Sequence, residues 1–118
     1  AGSRAEVPIV AELIPPARDG APVRVTGQID RIAVVGETVL VVDYKTNRPP
    51  PTEIAGIPRA YLLQLAAYRL ALSRIYRQNN VQCAILWTDG PRLMPVPDEM
   101  LDAAAAEMWG LSPARLDA

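Results

Sequence analysis

Three side chains with the means to do chemistry stand close together in "GQIDRIAVVGETVLVVDYKT", residues 27–46: Asp30, Asp43 and Lys45. The stretch otherwise reads as buried strand, where desolvation makes an unpaired charge costly. Lys45 is also the only lysine, since eleven of the 12 basic residues are arginine. Lysine is a compact point charge whose pKa can shift, whereas guanidinium is a broad and permanently charged fork. The position reads as one that arginine could not fill.

Gly36-Glu37 matches the two-residue loop of a type II′ hairpin, so Val35 is expected to pair with Thr38. Counting outward, Val34 meets Val39, Ile32 meets Val41, Asp30 meets Asp43 and Gln28 meets Lys45. Side chains alternate along a strand, so these last four polar groups share one face. The rest of that face is apolar: Ile32, Val34, Val39 and Val41.

Directly opposed carboxylates, with Cβ atoms roughly 5 Å apart, destabilise a sheet. Their repulsion is on the order of 3 to 4 kcal/mol at an effective dielectric near 20. Lys45 offsets one of two negative charges. A hard divalent cation such as Mg²⁺ or Mn²⁺ is the natural further partner, because it prefers carboxylate oxygens, keeps several waters and accepts a phosphate as a ligand. The spacing therefore reads as a metal site for phosphate chemistry. The alternatives are a protonated aspartate, or pairing of Asp30 with Arg31 or Arg24 at an exposed sheet end.

The elements that must position these groups follow from patterning. Residues 6–14 form an apolar run with Pro8 suited to an edge strand, ended by Pro15-Pro16. "ARDGAP" is a turn, followed by strands over 23–35 and 38–46. Three prolines at 49–51 make "TNRPPPTEIAGIP" a stiff irregular connector. A helix is expected from Arg59 to about Gln78, with Tyr61, Leu65, Tyr68, Leu72 and Ile75 on one stripe. "QCAILWT" and "PRLMPVP" flank the turn signal Asp89-Gly90 as a strand pair. Asp98 is placed to cap a last helix ending near Gly110. The order is strand, hairpin, helix, two strands, helix: an α/β domain with a central mixed sheet and the hairpin near its middle.

Composition narrows the function classes. A chain of 118 residues, 50% hydrophobic and 21% charged, is one domain with a real core. No apolar run is long enough for a membrane span, and the N-terminus lacks the order of a signal peptide, so a cytoplasmic location is expected. Cys83 is alone and histidine is absent, which leaves catalysis to carboxylates, lysine or a hard metal. A formal net charge of −1 carries no strongly basic nucleic-acid footprint, which argues against a domain that binds DNA tightly by itself but not against one handed its DNA by a larger protein.

Taken together, "GQIDRI", "VVDYKTNRPPP" and "QLAAY" in the following helix resemble the nuclease domain of the PD-(D/E)XK superfamily. The resemblance covers nearly the whole chain. It is to the RecB-like branch, with wording closest to the C-terminal nuclease domain of AddA helicase-nucleases. It implies a restriction-endonuclease-like core and a Mg²⁺- or Mn²⁺-dependent deoxyribonuclease of exonuclease type, acting in double-strand break repair and recombination. Asp30, Asp43 and the backbone carbonyl of Tyr44 would hold the metal, and Lys45 would position or activate the attacking water. Gln64 and Tyr68 match the branch's Q-x-x-x-Y element; one helical turn apart, they would hold the cleaved strand or brace the site.

The resemblance further implies DNA, helicase domains of the same parent chain and an AddB-like subunit as partners. A RecB-like nuclease also carries an acidic or histidine ligand on a helix ahead of the first strand, so the chain reads as a nuclease core excised from a larger helicase-nuclease. With one cysteine, no iron–sulfur cluster is expected. Thr46, Asn47 and Arg48 follow the motif where a DNA phosphate would be met, although arginine beside prolines is commonly only solvated. Glu6 and Glu12 are either a further acidic ligand or solvent-facing strand residues. Two other classes stay open: a non-catalytic module binding DNA or a partner subunit, and an ordinary hairpin of a small-molecule α/β domain.

Overall fold

A computed structural model describes residues 2–14 and 22–109 of the chain. Five strands form one mixed sheet in the order β1-β2-β3-β4-β5: β1 (Gly2–Leu13), β2 (Val23–Val35), β3 (Thr38–Lys45), β4 (Asn80–Trp87) and β5 (Arg92–Val96). β3 is central, antiparallel to β2 and parallel to β4. Helix α1 (Arg59–Ile75) makes the crossover between β3 and β4, and α2 (Asp98–Met108) follows β5. The sequence-predicted order of elements and the α/β class hold.

The hairpin register is as the turn predicts: Val35 pairs with Thr38, Val34 with Val39 and Ile32 with Val41. Gly36 has φ +59 and Glu37 is not left-handed, which is the type II′ pattern. The ladder stops at Arg31 and Val42, one pair short of Asp30 and Asp43.

The reason lies in a phase change. In the first half of β2 the inward residues are Val23, Val25 and Ile29, with Gly27 between them; in the second half they are Ile32 and Val34. The step from Ile29 to Ile32 is three residues, so the strand changes face there. β1 follows: Val7 pairs with Ile29 and Ala5 with Arg31, while Glu6, which would face Asp30, is skipped and held at φ +53. A left-handed glutamate is locally strained and marks the bend. Beyond it the β1–β2 arm leaves β3 and closes over α1, bringing Ile9, Leu13, Val23 and Val25 into the core.

α1 and α2 pack on each other and share one core with the inward residues of the sheet, including Val39, Val41, Cys83, Ile85 and Trp87. Leu65, Ala66, Ala67, Tyr68, Ala71 and Leu72 are the buried residues of α1. Several expectations are corrected. α1 ends at Ile75, where Tyr76 leaves helical geometry while its N–H still bonds the Leu72 carbonyl. Ile75 is consequently 65% exposed instead of part of the stripe. β1 begins at Gly2 because β2 is long enough to pair with it throughout. Pro8 sits on this edge strand, where a missing N–H is tolerated. The connector contains a short 3₁₀ turn, Ile54–Gly56. Pro97, not Asp98, is the N-cap of α2; Asp98 opens the helix and favours its dipole instead. Apart from Pro22, the turn expected at "ARDGAP" lies outside the described residues, as do Pro15, Pro16 and Gly110.

Candidate active site

β3 runs from the apolar centre of the sheet to its C-terminal end, where alternation aims Asp43 and Lys45 at the side covered by α1. Asp43 is 4% exposed and is the one charged residue in the core among those described. Lys45 Nζ lies 2.9 Å from Asp43 Oδ2. That contact is an ion pair at hydrogen-bond distance, and among the described residues no other donor reaches Oδ2. Burial pushes the Asp43 carboxyl above the usual carboxylate range; Lys45 pulls it down, and the adjacent Asp30 carboxylate raises it again through charge and a hydrogen bond.

Asp30 enters from β2 at the bend. Its Oδ2 accepts the backbone N–H of Tyr44 at 2.7 Å, two residues past the last ladder position on β3. The side chain thus takes the place a β2 carbonyl would occupy in a continued ladder, which is why the strands part and the two aspartates converge without formal pairing. The Tyr44 carbonyl points to the same side as its N–H, toward this gap. Arg31, a candidate partner for Asp30, instead donates to Tyr44 Oη (3.1 Å) and Ser3 Oγ (2.6 Å), while Arg24 lies opposite Glu12.

α1 supplies the rest. Lys45 Nζ donates to Gln64 Oε1 at 3.0 Å, and Gln64 Nε2 donates to Tyr68 Oη at 3.3 Å. The sequence-predicted Asp30, Asp43, Lys45, Gln64 and Tyr68 therefore form one continuous constellation. Burial raises the Tyr68 phenol above its ordinary value, opposed by the Gln64 hydrogen bond and by the Gln28 backbone. Gln28 itself is exposed, contrary to the expected four-group cluster, because the face change at Asp30 sends its side chain outward. Gly27 holds the inward position, and a Cβ there would lie 2.5 Å from Tyr68 Oη.

Sequence reasoning missed two participants, Gly27 and Tyr61, and did not foresee the contact of a third, Asn47. Gly27 is required by this close approach, signalled only by a glycine inside a strand pattern. Tyr61 places its ring under Lys45, with Nζ 4.3 Å from the centroid, though it had read simply as part of the apolar stripe. Asn47, expected near DNA phosphate, accepts from Tyr61 Oη at 2.8 Å through Oδ1. Arg48 is largely exposed and loosely paired with Asp89 at 3.9 Å.

Among the described residues no three His, Cys, Asp or Glu side chains converge, and Glu6 and Glu12 are both exposed. The donor set is two carboxylates with a nearby backbone carbonyl. An oxygen-only set whose buried Asp43 Oδ2 meets only the Lys45 ammonium among the described residues suits a hard cation that keeps waters for its remaining positions. Also among the described residues, no helix is long and apolar enough to cross a membrane.

The family model of the PD-(D/E)XK nuclease superfamily matches residues 2–111. The fold is similar to the crystal structure of SSO0001, with a TM-score of 0.50 and 17% sequence identity. That match covers 90% of this chain but 48% of the other, so the chain spans about half the length of that relative. Comparison with curated proteins gives no match. With the family match running through every described strand and helix, the chain belongs to the PD-(D/E)XK nuclease superfamily.

Proposed function

We propose that this chain is a divalent-metal-dependent DNA nuclease domain that hydrolyses phosphodiesters. The observation that carries the reading is Asp43: a buried carboxyl group with Asp30 against it and an oxygen that, among the described residues, only the Lys45 ammonium meets. Two carboxylates and one ammonium leave the cluster net negative. Asp30, Asp43 and the Tyr44 carbonyl would hold Mg²⁺ or Mn²⁺, with waters and a substrate phosphate completing the shell. A bound cation supplies Lewis acidity and offsets the charge that grows on the phosphate oxygens.

The chain's own groups have distinct tasks. Asp43 and Asp30 bind as carboxylates, so they must be deprotonated at the working pH. Lys45 has three ammonium donors; Gln64 takes one and Asp43 meets a second, leaving one for the attacking water or a phosphate oxygen. In the reaction the water oxygen bonds to phosphorus, one bridging P–O bond breaks and the leaving oxygen takes up a proton. Gln64 and Tyr68 brace the ammonium and fix how far it reaches.

Gln64, bonded to Lys45, and Tyr68, bonded to Gln64, bring the Q-x-x-x-Y element to the site, which supports the RecB-like branch; the wording of the motifs supports an AddA-type parent. On that reading the domain is an exonuclease fed by helicase domains of the same chain and assisted by an AddB-like subunit. It would process DNA ends in double-strand break repair and recombination in the cytoplasm. A second reading, a non-catalytic module binding DNA or a partner subunit, is favoured by the Asp43–Lys45 ion pair, which already gives the buried charge a partner.

Cleavage of linear single- and double-stranded DNA with Mg²⁺ or Mn²⁺, with Lys45→Ala as control, separates the two. Metal-dependent cutting lost in the variant supports catalysis. DNA binding without cutting in the unaltered chain supports the module.

A further inference from the structure

We propose that Tyr61 is a positioning residue for Lys45: its ring, locked at the hydroxyl by Asn47 and backed by Trp87, is the platform that holds the ammonium between Asp43 and Gln64. Lys45 Nζ stands 4.3 Å from the ring centroid, well inside the range of cation–π attraction. The ring is constrained on its other sides. Its hydroxyl donates to Asn47 Oδ1 at 2.8 Å, and the Trp87 ring is 6.2 Å away at 42°. Trp87 is fully buried, with its indole N–H on Met94 Sδ at 3.5 Å, so it cannot shift to relax the platform.

The arrangement answers a problem that the acids create. Lysine has a flexible four-carbon stem and a rotatable ammonium, so the single contact with Asp43 leaves the stem and the other two donors several directions to take. Gln64 fixes one direction from α1. The Tyr61 face, one helical turn earlier on α1, fixes a second. With both in place the ammonium is held against Asp43. Asn47 makes the platform depend on the connector: the segment leaving β3 sets the angle of the ring that supports the last residue of β3.

The catalytic meaning of this positioning rests on the nuclease reading, but its first test does not. Because Lys45 is the only lysine, lysine labelled with ¹³C and ¹⁵N marks residue 45 alone. In the 118-residue chain the Lys45 ε-methylene resonances are expected upfield of an exposed lysine's, displaced by the ring current. Tyr61→Phe keeps the displacement, Asn47→Ala reduces it and Tyr61→Leu abolishes it. Should Tyr61→Leu not fold, Tyr61→Met removes the ring while keeping bulk. Ordinary lysine shifts in the unaltered chain, or shifts unchanged in the Leu or Met variant, overturn the proposal.

The second readout is DNA cleavage. Loss of the ring is expected to lower kcat by roughly two- to thirty-fold with little change in KM, and Tyr61→Phe restores it. Cutting at full rate after the ring-current shift has been lost overturns the positioning role while leaving the nuclease reading intact. Absence of cutting in the unaltered chain overturns the nuclease reading, and with it any role of the platform in catalysis, whatever the resonances show.

Discussion

The Asp30 carboxylate and the Tyr44 backbone are joined across two strands that no longer pair: Oδ2 accepts the Tyr44 N–H at 2.7 Å where the ladder has ended. One oxygen of Asp30 thus does structural work, and the charge of the group serves the site.

Those two roles separate by substitution. Asp30→Asn keeps an oxygen for the Tyr44 N–H and is expected to unfold within about 1 kcal/mol of the unaltered chain, yet to lose divalent cation binding. Asp30→Ala removes both and is expected to cost about 1 to 2 kcal/mol. Urea denaturation beside a metal titration measures the difference. Equal metal affinity in the Asn variant would take Asp30 out of the site.

Gly27→Ala would drive a Cβ to within 2.5 Å of Tyr68 Oη. Overpacking of this kind typically costs about 1 to 3 kcal/mol. Adding Tyr68→Phe removes the nearest atom, although Cε1 still stands at 3.0 Å, so part of the loss should return. A double-mutant cycle followed by urea denaturation reads the coupling. Independent effects would mean that the strand, not the hydroxyl, yields.

How much of this was legible beforehand differs from residue to residue. Gly36-Glu37 announces its turn locally, so the register from Val35 to Arg31 follows by counting, and Lys45 follows from alternation along the strand, whereas Gln64 and Tyr68 were singled out only by the resemblance of "QLAAY". Asp30 and Asp43 converge as expected, but by another route. Period-two counting assumes that a strand keeps its faces, and β2 changes face between Ile29 and Ile32. That bend depends on Glu6 in a different strand and on the arm closing over α1, neither of which local pattern encodes. Gln28 was misplaced for that reason. Tyr61 was overlooked because a ring on an apolar stripe looks the same whether it fills space or carries an ammonium, and the bond of Asn47 to its hydroxyl joins residues from a loop and a helix that local pattern does not connect.

The raised Asp43 pKa makes the metal-free chain sensitive to pH. A carboxyl that holds its proton more tightly when folded adds stability below its unfolded pKa, near 3.8, and that contribution is lost as pH rises through the folded value. Metal-free protein should therefore lose stability relative to Asp43→Asn as pH rises from about 3.8. Mn²⁺ should reverse the loss, because it favours the ionised form. Denaturation midpoints across pH, with chelator and then with Mn²⁺, check both halves; a constant difference from the Asn variant would contradict them.

Cys83 is 1% exposed, and burial pushes its thiol up to about 12. It should resist thiol reagents in the folded chain and react only on unfolding. Its labelling rate over a urea series should therefore track the loss of the core. Rapid reaction in buffer would show that the packing of β4 against α1 opens locally.

The central claim is that Asp30 and Asp43 tolerate each other because together they take a divalent cation. Calorimetric titration of Mn²⁺ into the 118-residue chain and into its Asp43→Asn variant tests it most directly. The account predicts saturable binding in the chain as it stands and its loss in the variant, with both remaining folded. No binding to the unaltered chain, or the same affinity in both, would contradict it.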